Sequence, residues 1–356
     1  MKRSTKYTLK FVTKKKRELL NQLFEVYFKY LQKTIDLMWD GEIPVKKYIS
    51  PKQINWMDNL GGQYKDLIYT QASEIVRSTK FKKGKKSKPI IKNFTINFDY
   101  RMITAEFSNT RHFDKWIRLR LPFIRKGYKN QRIEILIPIK EHRHSLKFSN
   151  WKLCANIRLS RNYVSFVFEK ETPKVKEEGT TIGIDQGYKN LITTSEGQFI
   201  GRELEQTYEK ISKKKQGSKA FKRALVERDN EVNRQLNTLN LNPIKEIVIE
   251  DLKSVKHKSK FSKKFNNKLQ RWIYPKVVNK LERLCEENRI LLTKVDPAYT
   301  SQKCSKCGFI HKANRCGEKF KCINCGNLMH SDLNAAINLS QLGDSNPQSA
   351  KSSNFK

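Results

Sequence analysis

Acidic residues are scarce in this chain, and long apolar runs are missing. Against 73 lysines and arginines stand only 35 aspartates and glutamates, a formal net charge of +38 over 356 residues. Self-repulsion of that size burdens a compact monomer, whereas a polyanionic partner turns it to use. Nucleic acid fits best, because each neutralised phosphate releases a counterion. A membrane surface fits poorly, since no long helix pairs a basic face with a wide apolar one. No apolar run approaches the ~20 residues of a membrane span. The opening MKRSTKYTLK has no apolar core of a secretory signal. Cysteine is also sparse, with seven in all. Three of them, Cys154, Cys285 and Cys316, have no evident pairing, which excludes a disulfide framework and suggests a reducing, intracellular compartment.

The other four cysteines are the strongest local signal. Cys304 and Cys307, then Cys322 and Cys325, form two C-x-x-C knuckles. Such a pair supplies the four soft ligands of one structural Zn²⁺, which replaces the core that so short a loop cannot build. His311 and His330 lie near, but four thiolates already complete a tetrahedron.

Hydropathy patterns divide the rest. Residues 6–12 predict a strand. Residues 16–38 predict a helix with Leu20, Leu23, Phe24, Tyr27, Tyr30, Leu31 and Met38 on one face. A second helix is expected over 65–78, followed by the basic loop KFKKGKKSK and Pro89. From 90 to 170 the period becomes two, through Phe94, Ile96 and Phe98, Ile117 to Leu121, Ile133 to Ile139 and Val164 to Phe168, with 151–159 a further strand. Short antiparallel strands of this kind predict a barrel or sandwich, which the strand at 6–12 could join with the helices inserted. After a charged linker at 171–179, the pattern turns α/β. TTIGID (180–185), IKEIVIE (244–250) and RILLTKV (289–295) read as buried strands. LITT (191–194) and QFIG (198–201) read as a meander turning at Glu196-Gly197. A basic helical stretch then runs to 236, a long helix covers 266–288 with Pro275 kinking its interior, and a short helix closes at 332–340. The tail from 342 to 356 is polar and expected to be disordered.

This order resembles an RNase H-like fold, and three isolated acids fall at its functional edge. Asp185 ends the first strand, Gly187 permits a sharp exit, and Glu250 ends another strand. Asp251 follows Glu250, but successive strand side chains face opposite ways, so Glu250 is the expected site residue. Asp332 begins the last helix, at its positive end. Three carboxylates are hard oxygen ligands suited to Mg²⁺, and two such ions serve the attacking and leaving oxygens of a phosphodiester. The combination predicts a metal-dependent nuclease with two catalytic Mg²⁺ ions, Asp185 bridging both, and one structural Zn²⁺.

Four motifs sharpen this. GIDQGYKN (183–190), IVIEDL (247–252), YTSQKCSKCG (299–308) and HSDLNAAINL (330–339) resemble those of the TnpB (OrfB) family of IS200/IS605- and IS607-type transposons, which is related to miniature type V CRISPR effectors. The resemblance covers roughly 180–340 and implies an RNA-guided DNA endonuclease with guide RNA and target DNA as partners. It implies Asp185, Glu250 and Asp332 as the Mg²⁺-binding catalytic triad and Cys304, Cys307, Cys322 and Cys325 as zinc ligands. By layout it implies a multidomain α+β chain. The first strand of a wedge β-barrel lies at 1–14, a helical recognition domain at 15–88, and the wedge barrel at 89–172. A RuvC-like nuclease domain follows at 178–300, a zinc ribbon at 301–329, and a final RuvC helix at 330–341. A cytoplasmic, nucleoid-associated protein of a bacterium or archaeon is expected. Basic runs at 82–88, 210–219 and 253–264 would line a nucleic-acid channel, with Phe81, Phe221 and Trp272 as stacking candidates and Trp272 better placed in a core. A non-cleaving RNA-guided repressor and a DNA-binding transposase accessory remain the alternatives.

Overall fold

A computed structural model describes residues 1–343 apart from 48, 58–59, 83, 85, 93–94, 108–109, 111, 125–131, 188, 203, 253–272 and 297–298. The chain divides into two compact units, Met1–Glu171 and Thr172–Lys356. The expected strand residue Phe94, the basic run 253–264, Trp272 and the tail from 344 onward lie outside the described residues.

The first unit starts with β1 (Lys2–Thr8), earlier than the expected 6–12. The ladder explains the shift: Lys2 to Thr8 pair antiparallel with Glu169 to Tyr163 of β7 (Tyr163–Glu169), sending Thr5 and Tyr7 inward. Leu9 and Val12 are buried too, but beyond the ladder. Helix α1 (Lys14–Asp40) buries Leu20, Leu23, Phe24, Tyr27, Leu31 and Met38 at helical spacing. It ends at Gly41, whose φ of 86° lets the chain turn left-handed without a Cβ penalty. Helix α2 (Gly62–Lys80) joins it through the buried Tyr27 hydroxyl, which donates to Gln71 at 2.6 Å.

The alternating segment forms β2 (Ile96–Phe98), β3 (Ile103–Phe107), β4 (Lys115–Ile124), β5 (Arg132–Ile139) and β6 (Lys152–Leu159). Among the described residues these strands do not close into one ring. They form two antiparallel sheets, ordered β1-β7-β6-β2 and β3-β4-β5. Both share one core with α1 and α2, in which Ile117, Leu119, Ile137, Phe166 and Phe168 meet Leu23 and Tyr27.

The second unit is built on a five-stranded sheet ordered β10-β9-β8-β11-β12. Its strands are β8 (Thr180–Asp185), β9 (Ile192–Thr194), β10 (Phe199–Ile200), β11 (Ile244–Glu250) and β12 (Leu291–Val295). β8, β11 and β12 run parallel, and β9 and β10 complete an antiparallel edge. Strands with apolar neighbours on both faces need cover on both sides. Ile247 and Ile249 face a core shared with α3 (Leu204–Ser212), α4 (Lys219–Leu236) and α5 (Tyr274–Asn288). Val248 faces the other way, against Val295 and Leu339 of the last helix, α6 (Ser331–Ser340).

Pro275 does not kink a helix interior. It lies in the first turn of α5, where a missing N–H costs nothing and its fixed φ suits helix entry. The part of the expected helix before 273 lies outside the described residues. Between β12 and α6 stands a three-stranded ribbon of β13 (Arg315–Cys316), β14 (Lys319–Lys321) and β15 (Leu328–His330). No described helix is long and apolar enough to cross a membrane.

Candidate active site and zinc ribbon

The parallel register sets two acids side by side. Ile184 of β8 pairs with Ile249 of β11, so Asp185 and Glu250 leave the same edge of the sheet on neighbouring strands. Adjacent strands lie about 4.8 Å apart. The third acid arrives with α6, which packs directly on β8. Gly183 permits this approach, since a Cβ there would sit 1.9 Å from the Ala336 carbonyl oxygen. The helix runs back over the strand and brings Asp332, in its first turn, to the edge where Asp185 emerges.

The electrostatics record that convergence. Burial, then the charges of Glu250 and Asp332, push the Asp185 carboxyl up from 3.8 to about 8. Glu250 is also raised, chiefly by burial, with a hydrogen bond from Thr300 and the charge of Arg315 acting against it. Asp332 accepts from Asn190 Nδ2 at 3.2 Å on one oxygen and meets Arg315 Nη2 at 3.4 Å on the other. Its backbone N–H is capped by His330 Nδ1 at 3.2 Å.

The four cysteines lie together. Their sulfurs are all within 4.8 Å of one another, with Cys304 and Cys325 at 3.7 Å and Cys307 and Cys322 at 3.6 Å. A tetrahedron with Zn–S bonds of ~2.3 Å has edges of ~3.8 Å, so the donor set fits zinc in chemistry and in size. The two knuckles repeat each other. Cys304 N–H bonds the Phe309 carbonyl and Cys322 N–H bonds the Asn327 carbonyl, each at 2.9 Å. Each knuckle closes on a glycine with positive φ, Gly308 at 76° and Gly326 at 70°. The Phe309 N–H aimed at Cys307 draws that thiol down, toward the ionised form a metal needs, while the crowding of neighbouring thiols pushes Cys325 up. Cys316 lies exposed in β13, outside the cluster.

Ribbon and helix are tied by amides. Asn334 Nδ2 donates to the Lys303 carbonyl at 2.7 Å while its Oδ1 accepts from Ser305 N–H at 2.9 Å. Asn338 donates to the carbonyls of Thr300 at 2.9 Å and Lys303 at 2.7 Å. Ser331 fastens the start of α6 to the β13–β14 turn through the carbonyls of Glu318 and Gly317. An exposed pair, Lys189 to Glu318 at 3.1 Å, links that turn to the loop after β8. Of these residues, sequence reasoning passed over Arg315, Asn190 and Thr300. Arg315 belongs to none of the motifs, and its distance to Asp332 is what marks it.

Residues 274–339 match the family model described as Cas12f1-like, TNB domain. A stretch of 72 residues is 46% identical to the CRISPR-associated endodeoxyribonuclease Cas12f1 of Sulfoacidibacillus thermotolerans, covering 20% of this chain and 17% of that protein. Another of 95 residues is 37% identical to a TnpB-like protein of Aquifex aeolicus (strain VF5), covering 26% of this chain and 31% of that one. This chain is similar to Cas12f1 and TnpB-like proteins. The matched stretches cover less than a third of either relative's length. The fold likeness reaches further. A chain in the cryo-EM structure of the Cas12f1–sgRNA–target DNA complex superposes with a TM-score of 0.56 at 17% identity, over 93% of this chain and 82% of that one.

Proposed function

We propose that this protein is an RNA-guided, Mg²⁺-dependent DNA endonuclease of the TnpB type, encoded by a transposon and carrying one structural Zn²⁺. The observation that carries the reading is that Asp185 and Glu250 end neighbouring parallel strands while α6, packed on Gly183, brings Asp332 near enough for both charges to raise the Asp185 carboxyl, although the three acids are far apart in sequence. A protein gathers three partly buried carboxylates at one sheet edge at an energetic cost, and hard divalent cations offset it. On this reading Thr172–Lys356 is an RNase H-like (RuvC) nuclease unit with an inserted zinc ribbon. Met1–Glu171 is a wedge with a helical recognition insertion. Similarity to Cas12f1, named as an endodeoxyribonuclease and seen with sgRNA and target DNA, supports both the reaction and the partners.

Asp185, Glu250 and Asp332 would hold the cations. When bound, the ions stabilise charge on the attacking and leaving oxygens of the phosphodiester. The chain's own groups do the rest. Asn190 orients Asp332, and the Arg315 guanidinium supplies a fixed positive charge where a phosphate would sit. Exposed Lys210 at the end of α3, Lys213, Lys214 and Lys215 in the connection, and Lys219 at the start of α4 offer sequence-independent phosphate contacts. Exposed Phe81 suits base stacking, whereas Phe221 is partly buried. In the run 82–88, Lys88 pairs with Asp40 at 2.7 Å and is committed within its own unit.

The test is cleavage by the full chain purified with RNA from its own locus. Target DNA with Mg²⁺ is cut by the wild type, and Asp185→Ala binds that DNA equally but leaves it whole. DNA bound tightly by the wild type and still intact contradicts the reading and favours a non-cleaving repressor.

A further inference from the structure

The stretch Tyr299-Thr300-Ser301 precedes the first zinc knuckle without ligating anything, yet its geometry is unusual. Tyr299 adopts φ of 63°, a left-handed conformation that strains a residue carrying a Cβ. Its ring is not hidden to compensate, being 62% exposed. What the turn does achieve is the placement of Thr300, which is 4% exposed. The Thr300 hydroxyl donates to Glu250 Oε1. The Thr300 carbonyl is held in turn by Asn338 of α6 at 2.9 Å. The Tyr299 carbonyl accepts from Gln302 and Lys303 N–H, each at 2.9 Å, which locks the turn.

Glu250 is held at a second point as well. The buried Tyr274 hydroxyl donates to the Glu250 carbonyl at 2.8 Å and accepts from Leu252 N–H at 2.9 Å. This fixes the backbone where β11 ends. The side chain still has three rotatable bonds, and Thr300 is the contact that removes their freedom. Aspartates reach a cation with a short, stiff arm, whereas a glutamate needs an outside partner to aim it.

We infer that Thr300 is the positioning residue for Glu250: its hydroxyl fixes one carboxylate oxygen and leaves the other facing the divalent cations. The strained turn at Tyr299 and the clamp from Asn338 hold the hydroxyl in place. The path runs from the segment 299–303 leading into the first zinc knuckle and from the last helix into the proposed cation site, so that segment and the helix set a glutamate that neither of them contains. This rests on the proposed cation site and adds a role to it.

The test uses Mn²⁺ as the probe, titrated into the nucleic-acid-free full chain and followed by electron paramagnetic resonance, with Glu250→Gln as the blank. Thr300→Val keeps shape and removes the hydroxyl, and Thr300→Ser keeps the hydroxyl. Loss of a ligand's hydrogen-bond partner typically weakens metal affinity by about 10–100-fold. Thr300→Val is expected to weaken Mn²⁺ binding within that range, and Thr300→Ser to stay within about threefold of wild type. Zinc content and melting temperature stay constant in both. In the RNA complex, raising Mg²⁺ restores cutting by Thr300→Val. Equal Mn²⁺ affinity in wild type and Thr300→Val overturns the role of Thr300 alone, as does Thr300→Ser failing as badly as Thr300→Val. Wild-type binding that matches the Glu250→Gln blank overturns the cation site itself and the role of Thr300 with it.

Discussion

Asp185 sets stability against use within one side chain. Its carboxyl ordinarily ionises near 3.8, and the folded protein raises that to about 8. Between these values the native state holds a proton that the unfolded chain has released. The group's contribution to stability is therefore complete below about pH 4 and is lost as pH rises through about 8. Metal-free wild type should lose on the order of 4 kcal/mol from this group between pH 5 and pH 8.5. Asp185→Asn should flatten that decline and melt several degrees higher at pH 8.5, while abolishing cleavage. Calorimetry at the two pH values checks this, and an Asp185→Asn variant less stable than wild type at pH 8.5 contradicts it. The three acids were legible in sequence because each stands at the end of a periodic element. Strand alternation also separated Glu250 from Asp251. Arg315, Asn190 and Thr300 were not legible, because a polar residue in a polar loop acquires its role only from its partner across space.

At the scale of elements, α6 and the ribbon act as one piece. Gly183 lets α6 lie against β8, and Asn334 and Asn338 fasten α6 to the segment 300–303 leading into the first zinc knuckle. Asp332 is thus positioned from both ends. Cys322→Ser removes one of the four sulfurs and should drop zinc below one per chain. It should also cut the cleavage rate by at least tenfold through displacement of Asp332, with the first unit still folded. Metal analysis and single-turnover cleavage check this, and full zinc content in the variant shows that the ligand set is wrong. Strands such as TTIGID and IKEIVIE coincided with their hydropathy patterns because burial on both faces calls for the consecutive buried residues at Ile182-Gly183-Ile184 and Ile247-Val248-Ile249. Pro275 was misjudged because periodicity extends an apolar stripe through a proline, while the backbone uses that proline to begin the helix. The two sheets of the first unit were equally hidden, since alternation gives a strand's faces and not its neighbours.

At the scale of the molecule, charge spoke before any fold was known. An excess of +38 leaves a nucleic-acid partner as the simplest use of the surface. The α/β order of the second unit was legible because helices separate β10 from β11 and β11 from β12, the pattern of parallel strands joined by crossovers. The first unit was less so, because its helices interrupt a sheet whose edge strand comes first in sequence. The account depends on three distant acids serving one pair of cations. Anomalous scattering from a crystal of the full chain grown with Mn²⁺ tests this directly. Two peaks about 3.5–4 Å apart, ligated by Asp185, Glu250 and Asp332, are the predicted result. Manganese bound elsewhere, with those three carboxylates bare at saturating Mn²⁺, would contradict it.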